Sequence, residues 1–574
     1  MSGGRTRPKT LVLSAILALA LVAGAWMLHR GAASAMTVSA NGPKLFDEVS
    51  SLVRDQFVDT VSDSQLHRLA VDGMLSELND PYDAYLTSDR LARLSEHTSG
   101  SYAGIGLQVD VRDGSLVVVN PLPGGPGDRA GILTGDRIAQ IDGKTVSGWT
   151  AEEVQRLLRG AAGSPVQLTV DRAGMPKPVS LTLTRADIHH SAVRRAAVLP
   201  SRVGYVALSV FSDSTARELA RTTDSLVRAG AASLIVDLRS NPGGLLDQGV
   251  GVADLFLDRG ERIASTRGRD SAETKVYVDS AAQRWPKLPI VLLVDDKTAS
   301  AAEVVAGALQ DHDRAVIMGA PTYGKGSVQH VFPVPAGGAL RLTTARWVTP
   351  AGRLIARDLA PDADITDSAA MHPHFKTDAG RTVLGGGGIT PDVLVRDTIA
   401  APENVALMRA LGGNVGVFHD ALASYALTVK AKGAVKSPDF VVTPAMRADI
   451  YQRMVQRGVG IPRNVYDDAA PLVSRLLAYE VDRYVFGADA EFRRKAADDK
   501  TLIEAQRLLA ASHSQADALE RAAALQRARE RARECAAPCN RSGPGGARTC
   551  SRVSLRRPQR IGCARPHRAR RRYE

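Results

Sequence analysis

The chain has 574 residues, of which 44% are hydrophobic and 23% charged, which is the composition of a globular protein with room for several domains. Its formal net charge is +12, but residues 531–574 carry thirteen arginines against two glutamates, so the body is nearly neutral and no nucleic-acid partner is expected. All four cysteines lie in that same terminal segment, which excludes a disulfide framework and a cysteine nucleophile in the body.

The amino terminus predicts a signal sequence or membrane anchor within residues 1–35. Arg5, Arg7 and Lys9 precede the segment LVLSAILALALVAGAWML (11–28), which is just long enough to span a bilayer. Basic residues on this side keep the terminus in the cytoplasm. We therefore expect an anchor in the inner membrane and a body on the periplasmic side of the cell envelope; Ala-Ser-Ala at 33–35 leaves cleavage and export as the alternative.

Residues 40–98 are predicted to be a helical region. Leu45, Val49, Leu52 and Val53 recur at the spacing of one helix face, and Asn-Asp-Pro at 79–81 marks a turn. Such a region is suited to packing on the core or to forming a homodimer.

Residues 99–175 alternate like strands around one amphipathic helix, AEEVQRLLRG (151–160). With the glycine-rich strand entry Gly104-Ile105-Gly106-Leu107, this order resembles a PDZ domain. Backbone N–H groups in such a loop bind a terminal carboxylate, and the following strand edge pairs with an extended peptide. The alternative is that these glycines only turn the chain.

Residues 190–400 alternate strands and helices, which predicts an α/β core. Residues 401–514 are predicted to be helical. Residues 515–574, rich in Ala and Arg and then in Arg, Pro, Gly and Cys, are expected to be a disordered basic tail without function; the alternative is that the tail binds anionic lipid or nucleic acid.

One serine decides the chemistry of the core. Ser300 follows the apolar run PIVLLV (289–294) and precedes the helix-like AAEVVAGAL. The pattern Ser-x-x-Glu ending at Glu303 is a capping box, and most such serines are only helix caps. The same position lies at the positive end of a helix dipole, where an alkoxide or oxyanion is stabilised.

A nucleophilic serine needs a base, and Lys325 between two glycines in TYGKGSVQ (322–329) is the best candidate. Burial lowers the pKa of such a lysine towards the neutral amine. Gln329, on the same face if the segment is a strand, would hold that amine. The alternative for Lys325, taken by itself, is a surface lysine in a hairpin. His312 and His330 are near Ser300 in the sequence, so a Ser-His-Asp triad remains a second alternative.

Acyl transfer also needs donors for an oxyanion. The turn NPGG (241–244) follows a buried strand, and one of its N–H groups together with the N–H of Ala301 would serve. The alternative is a plain strand-to-helix turn.

Three segments resemble the carboxy-terminal processing peptidases, or tail-specific proteases: VDLRSNPGGLL, TASAAEVVAGALQDHDRAVIMGAPTYGKGSVQ and LTTARWVTPAGRLI. The resemblance implies an α/β, mixed-sheet protease core of the ClpP/crotonase-like type, with an inserted PDZ-like domain and helical N- and C-terminal regions. It implies Ser300 as nucleophile, Lys325 as base, Gln329 as its partner, and Gly244 and Ala301 as oxyanion donors. Residues 356–388 depart from the pattern as an insertion.

The implied function is a serine endopeptidase that cleaves proteins near their C-termini, with PDZ recognition of apolar C-terminal residues and no metal or organic cofactor. Two alternatives remain open: a catalytically silent PDZ adaptor on a peptidase-like fold, and crotonase-like thioester chemistry that would depend on coenzyme A.

Overall fold

The computed structural model describes residues 42–112, 115–146, 148–172, 175–270, 274–335, 337–357, 373–395 and 401–536. The predicted anchor at 11–28 and the chain beyond residue 536 lie outside these ranges. Among the described helices none is long and apolar enough to cross a membrane. The chain separates into two compact units, 1–525 and 526–574, and the second is described only as the end of one helix.

The N-terminal region is mostly helical, as predicted. Its elements are α1 (Gly42–Gln56), α2 (Asp63–Glu77), β1 (Ala84–Leu86) and α3 (Ser88–Ser99). Ser62 caps α2 in a capping box with Gln65. Helix α1 buries none of its residues, and its apolar face, including Leu45 and Leu52, is exposed. The short strand β1 was not predicted.

The next region is a small β-sheet domain with one long side covered by a helix. Its elements are β2 (Ser101–Gly104), β3 (Leu107–Arg112), β4 (Ser115–Pro121), α4 (Pro126–Arg129), β5 (Arg137–Ile141), β6 (Lys144–Thr145), α5 (Ala151–Leu158), β7 (Pro165–Asp171), β8 (Val179–Thr184) and β9 (Ala186–His189). The antiparallel sheet runs β3-β4-β5-β7-β8, with β6 on β5, while β2 pairs with β9. Strand β3 is therefore an edge strand. Helix α5 begins at a Thr150–Glu153 capping box and buries Val154 and Leu158 in the core.

The α/β core follows in chain order. Its first elements are β10 (Val193–Leu199), β11 (Val203–Leu208), α6 (Thr215–Arg228), β12 (Ser233–Asp237), α7 (Leu246–Asp254), β13 (Arg262–Gly268) and β14 (Lys275–Val278). They are followed by β15 (Ile290–Val294), α8 (Ala301–Asp311), β16 (Val316–Gly319), β17 (Ser327–Pro333), β18 (Ala339–Val348), β19 (His374–Lys376), β20 (Thr382–Leu384) and β21 (Val393–Leu394).

Two sheets form this core. The first runs β10-β11-β12-β15-β16-β21 and is parallel except for β10. Its central strands β12 and β15 are buried at every position, which explains their unbroken apolar sequence. The second sheet is antiparallel and runs β1-β18-β13-β14, with β17 on β18. Helices α6, α7 and α8 cover one face of the first sheet.

The C-terminal region is helical, as predicted, and has two parts. Its helices are α9 (Pro402–Leu411), α10 (Val415–Lys432), α11 (Pro444–Gln456), α12 (Arg463–Asp468), α13 (Ala470–Val481), α14 (Ala488–Asp498), α15 (Lys500–Ala510) and α16 (Gln515–Ala536). Helices α9 to α13 share a core of their own. Helix α15 and the start of α16 cover the other face of the first sheet through Leu502, Leu508, Ala518 and Ala522.

The prediction of disorder from residue 515 is wrong for residues 515–536. The segment QADALERAAALQRARERARECA consists of strong helix formers. Its small residues Ala518 and Ala522 are fully buried, and Gln515 Oε1 accepts the N–H of Ile290 at 2.7 Å. Low aliphatic content led to the wrong expectation because alanine supplies the buried surface here.

The insertion is described from residue 373 onwards. Its hairpin β19–β20 lies at the C-terminal end of α8, where Arg381 forms ion pairs with Asp313 and Asp392. The glycine run that follows packs under the loop containing Lys325: a Cβ on Gly388 would lie 2.3 Å from the carbonyl oxygen of Thr322.

Candidate active site

Ser300 stands where buried strand β15 gives way to helix α8, and its side chain is partly exposed. Its backbone has φ 55° and ψ −120°. The cap residues Ser62, Thr150 and Thr443 of this chain instead have φ between −84° and −74° and extended ψ, as N-caps normally do. A positive φ at a serine is strained, and such strain is concentrated at functional sites. Ser300 therefore differs from the ordinary caps of this protein.

The turn NPGG packs directly against Ser300. Asn241 fixes it: its carbonyl accepts the N–H of Ala299 at 3.0 Å, its Oδ1 accepts the N–H of Gly243 at 2.9 Å, and its Nδ2 donates to Leu208 at 2.9 Å. A Cβ on Gly243, which has φ 90°, would lie 2.8 Å from Ser300 Cβ. The close approach of the two loops thus requires glycine at position 243.

Two backbone donors next to the serine have no acceptor among the described residues. They are the N–H groups of Gly244 and Ala301. The N–H of Gly243 is taken by Asn241, so it is not a third donor. The position that a Cβ would occupy on Gly243 is 2.9 Å from the nitrogen of Ala301, which puts the turn and the start of α8 in contact.

Glu303 is a buried carboxylate that ties the serine to the lysine loop. Its Oε2 accepts the N–H of Ser300 at 2.8 Å and the N–H of Lys325 at 2.9 Å. Its Oε1 accepts the hydroxyl of Thr322 at 2.5 Å and the N–H of Gly324 at 2.7 Å. Burial raises the pKa of Glu303, while these four donors oppose the shift. Glu303 accepts the Ser300 N–H as in a capping box, but its own N–H donates to the carbonyl of Ser300, at 2.8 Å, and its carboxylate joins two loops.

Lys325 lies in the loop before β17, and Glu303 ties its backbone to that of Ser300. Its amine lies over the ring of Tyr82, 4.5 Å from the centroid. Burial lowers the pKa of Lys325, and the positive charge of Arg341 adds to the shift, while Asp80 and Glu303 oppose it. The lowered pKa increases the fraction of Lys325 present as the neutral amine, which is the form that a base requires.

Gln329 lies on β17, but that strand begins only at Ser327, so strand alternation does not relate it to Lys325. Its Nε2 donates to Ser327 Oγ at 2.8 Å and to Thr343 Oγ1 at 3.1 Å. In the described part of the chain, no hydrogen bond joins the side chains of residues 300, 325 and 329.

Neither histidine considered as a base contacts Ser300. His312 caps the opposite end of the eleven-residue helix α8, twelve residues after Ser300 and about 18 Å away at 1.5 Å per residue. Its ring nitrogens bond Asp378 and the carbonyl of Arg262, each at 2.7 Å. His330 is exposed and bonds Thr344.

Glu261, His312 and Asp378 also form the cluster of possible metal ligands found among the described residues. Both ring nitrogens of His312 are already in use there.

The predicted peptide-binding loop Gly104-Ile105-Gly106-Leu107 lies at the entry to edge strand β3. The N–H groups of Ile105 and Gly106 donate to no described acceptor. Their carbonyl groups accept Gly127 and Leu122, each at 2.8 Å, which fixes the loop. Helix α5 shares its hydrophobic core with β3, and the outer edge of β3 has no strand partner among the described residues.

Sequence reasoning missed three contributors to this site. Gly243 was passed over for Gly244, and Glu303 was seen only as a helix-capping residue. Tyr82, 243 positions before Lys325, follows the predicted turn at 79–81 and was given no role. The proline-tyrosine turn carried no signal of proximity to the lysine, because that contact depends on the pairing of β1 with β18.

Comparison with protein families identifies the class of the core. Residues 202–365 match Peptidase family S41, residues 117–172 match the PDZ domain, and residues 29–90 match the Activating protease CtpB N-terminal domain. The core is thus a peptidase, which confirms the predicted fold class and removes the thioester alternative.

Individual relatives place the chain within this class. It is 36% identical over 358 residues to a carboxy-terminal-processing protease of Bartonella bacilliformis, covering 62% of this chain and 75% of that protein. It is 32% identical over 383 residues to the carboxy-terminal processing protease CtpA of Bacillus subtilis, covering 66% and 79%. The chain therefore belongs to the carboxy-terminal processing protease family and is a serine protease with a PDZ domain.

Solved structures with similarity include two from the same class. A photosystem II D1 C-terminal processing protease is 31% identical, covering 65% of this chain and 92% of that chain with a TM-score of 0.32. The PDZ domain of a carboxy-terminal protease from Vibrio cholerae in complex with peptide is 32% identical, covering 15% and 97% with a TM-score of 0.15.

Proposed function

We propose that Ser300 and Lys325 are the nucleophile and the base of this protease, acting as a Ser/Lys dyad. The observation that carries the proposal is the single oxygen of Glu303 that accepts both backbone N–H groups, at 2.8 and 2.9 Å. It holds the two residues in one rigid arrangement. The strained backbone of Ser300 and the lowered pKa of Lys325 support the same roles.

The reaction proceeds in two halves. The neutral amine of Lys325 takes the hydroxyl proton of Ser300 as Oγ attacks the scissile carbonyl, and the N–H groups of Gly244 and Ala301 receive the oxyanion. The ammonium then gives its proton to the leaving amine, and the C-terminal fragment departs. Lys325 next takes a proton from water as the water oxygen attacks the acyl-serine. The ester C–O bond then breaks, and the ammonium returns that proton to Ser300 Oγ as the acid leaves. Gln329 Oε1 is the atom proposed to hold the amine, because its Nε2 is engaged.

Substrate capture is assigned to the PDZ domain. The free N–H groups of Ile105 and Gly106 suit a terminal carboxylate, and the edge of β3 suits the pairing of the last residues of a protein chain. We expect an apolar C-terminal residue to be preferred in the loop formed by Gly104 to Leu107. Peptides with a free carboxylate should bind, and their C-terminal amides should not.

Two further assignments concern the surroundings of the enzyme. The apolar segment 11–28 is proposed to anchor the chain with its body on the periplasmic side of the cell envelope. The exposed apolar face of α1, with Leu45, Val49 and Leu52 among its residues, is proposed to pair two copies of the chain. Sedimentation of Leu45→Asp/Leu52→Asp against the native chain tests the pairing: the double variant should be monomeric.

Mutation of the dyad tests the catalytic proposal. Ser300→Ala and Lys325→Ala should each abolish cleavage of a reporter protein with an apolar C-terminus. Ser62→Ala, at an ordinary helix cap, and Lys297→Ala, at an exposed lysine of the loop before Ser300, are the matched controls and should cleave normally. Full cleavage by either dyad variant, with both controls active, would remove that residue from the mechanism.

A further inference from the structure

The turn between α2 and β1 in the N-terminal region is hydrogen-bonded to strand β18. The backbone carbonyl of Tyr82 accepts Nε of Arg341 at 2.8 Å, and Asp83 Oδ1 accepts the N–H of Thr343 at 2.7 Å. Strand β1 then pairs with β18, with Tyr85 opposite Leu340. The position of Tyr82 is therefore set by a contact of its own carbonyl and by contacts of the residues that follow it.

The ring of Tyr82 faces the amine of Lys325, at 4.5 Å from its centroid. Its hydroxyl oxygen is buried and lies next to Tyr323. Burial, reinforced by Tyr323, raises the pKa of Tyr82, so the phenol stays protonated at working pH. The amine of Lys325 therefore faces the electron-rich side of a neutral aromatic ring. This face attracts the lysine when it is a charged ammonium, but not when it is a neutral amine.

We infer that Tyr82 is a positioning residue for Lys325: its ring face stabilises the ammonium that forms when the lysine takes the proton of Ser300. The inference rests on the proposed dyad. It also gives the N-terminal region a role in the chemistry, because the residue comes from the turn between α2 and β1.

The charges around Lys325 explain why a neutral aromatic ring is useful there. Arg341, from β18, disfavours the ammonium, while Asp80 and the buried Glu303 favour it. Tyr323 contributes a second phenol beside Tyr82. A third full negative charge would raise the pKa of the lysine and leave too little neutral amine, whereas a ring face gives a smaller, directional stabilisation.

The experiment removes the ring and keeps the site apolar. Tyr82→Leu and Tyr82→Met are compared with Tyr82→Phe, which retains a ring. Tyr85→Leu is the matched control, because Tyr85 lies on the same segment and its hydroxyl donates to the carbonyl of Gly337, at 2.7 Å, away from the lysine. For each folded variant, kcat/KM for one reporter substrate is measured across pH, together with the thermal unfolding midpoint.

The Leu and Met variants should lower kcat/KM at the optimum about 3- to 30-fold. Their acid limb, where activity rises with pH, should move to lower pH because the ammonium has lost its stabilising ring. Tyr82→Phe and Tyr85→Leu should retain the native profile.

An unmoved acid limb in both the Leu and the Met variant would overturn the inference, whatever the rate, since a purely structural role lowers activity without shifting that limb. A Phe variant as impaired as the Leu variant would overturn it too, because the hydroxyl would then be responsible. Ser300→Ala is measured in parallel: if it still cleaves, the dyad itself fails, and this result is separate from any behaviour of Tyr82.

Discussion

Replacement of Gly243 by alanine perturbs the site at its tightest point. The new Cβ would lie 2.7 Å from the carbonyl oxygen of Ala299, 2.8 Å from Ser300 Cβ and 2.9 Å from the nitrogen of Ala301. Two of these atoms are backbone atoms, so the NPGG turn and the start of α8 must move apart. The N–H of Ala301 then no longer faces the oxyanion position. Loss of one such donor costs about 10²–10³-fold in kcat.

Backbone strain contributes a separate and smaller effect. Gly243 has φ 90°, and an alanine there costs about 1–2 kcal/mol in folding free energy. Gly260 has φ 95° with no atom within 4 Å of its Cβ position, so Gly260→Ala carries the strain without the collision. We therefore expect both variants to lose stability and only Gly243→Ala to lose activity.

The assay is kcat and KM for a peptide reporter with an apolar C-terminal residue, with thermal unfolding for both variants. KM should change little because the PDZ domain is untouched. A Gly243→Ala enzyme with kcat within threefold of native would refute the packing of this turn against the nucleophile. Equal losses of kcat in Gly243→Ala and Gly260→Ala would attribute the effect to strain instead.

The remaining predictions concern the buried charges and the tail. Glu303→Gln leaves at least one of four buried donors without an acceptor, so thermal and urea unfolding should show a loss of about 1–3 kcal/mol. The same change removes a negative charge that raises the pKa of Lys325, so the acid limb of kcat/KM should move to lower pH; a limb that stays in place would contradict this. In the native enzyme, the acid limb of kcat/KM should follow the deprotonation of the Lys325 amine. Because the pKa of this lysine is lowered, activity should appear below the pH at which an ordinary lysine loses its proton. A profile that is flat from neutral to alkaline pH would contradict the role of the lysine as base. A lowered pKa of Lys325 means that its ammonium destabilises the folded state at neutral pH, so Lys325→Met should raise the unfolding midpoint while abolishing cleavage. The gain in midpoint should shrink as pH rises through the pKa of Lys325 in the folded protein. A midpoint below native at neutral pH would contradict the burial argument. Deletion of 537–574 should leave cleavage and the unfolding midpoint unchanged. Deletion of 515–574 should lower the midpoint, because it exposes the sheet face that the start of α16 covers. Equal midpoints for the two deletions would show that this packing does not stabilise the fold.

Local patterns in the sequence were enough for the individual elements. The unbroken apolar runs of β12 and β15 predicted buried strands, and the amphipathic pattern of residues 151–160 predicted helix α5. These features depend on residues near each other in the chain, so their physical causes can be seen without the fold. Strand β1 and helix α16 were exceptions: β1 was not predicted, and only the neighbouring sheet shows that the alanines of α16 are core residues.

By itself, the sequence determined the order of the regions, the buried strands of the core, and the residue types that could serve as nucleophile and base. Only the tertiary structure decided which groups meet: Tyr82 over Lys325, Gly243 against Ser300, and Glu303 between both loops. The strained φ of Ser300, which separates it from the ordinary caps, was likewise invisible in a Ser-x-x-Glu pattern shared with simple helix starts. The physical reason is that these contacts join segments up to 243 residues apart, and strand pairing and backbone geometry, which no local pattern encodes, bring them together.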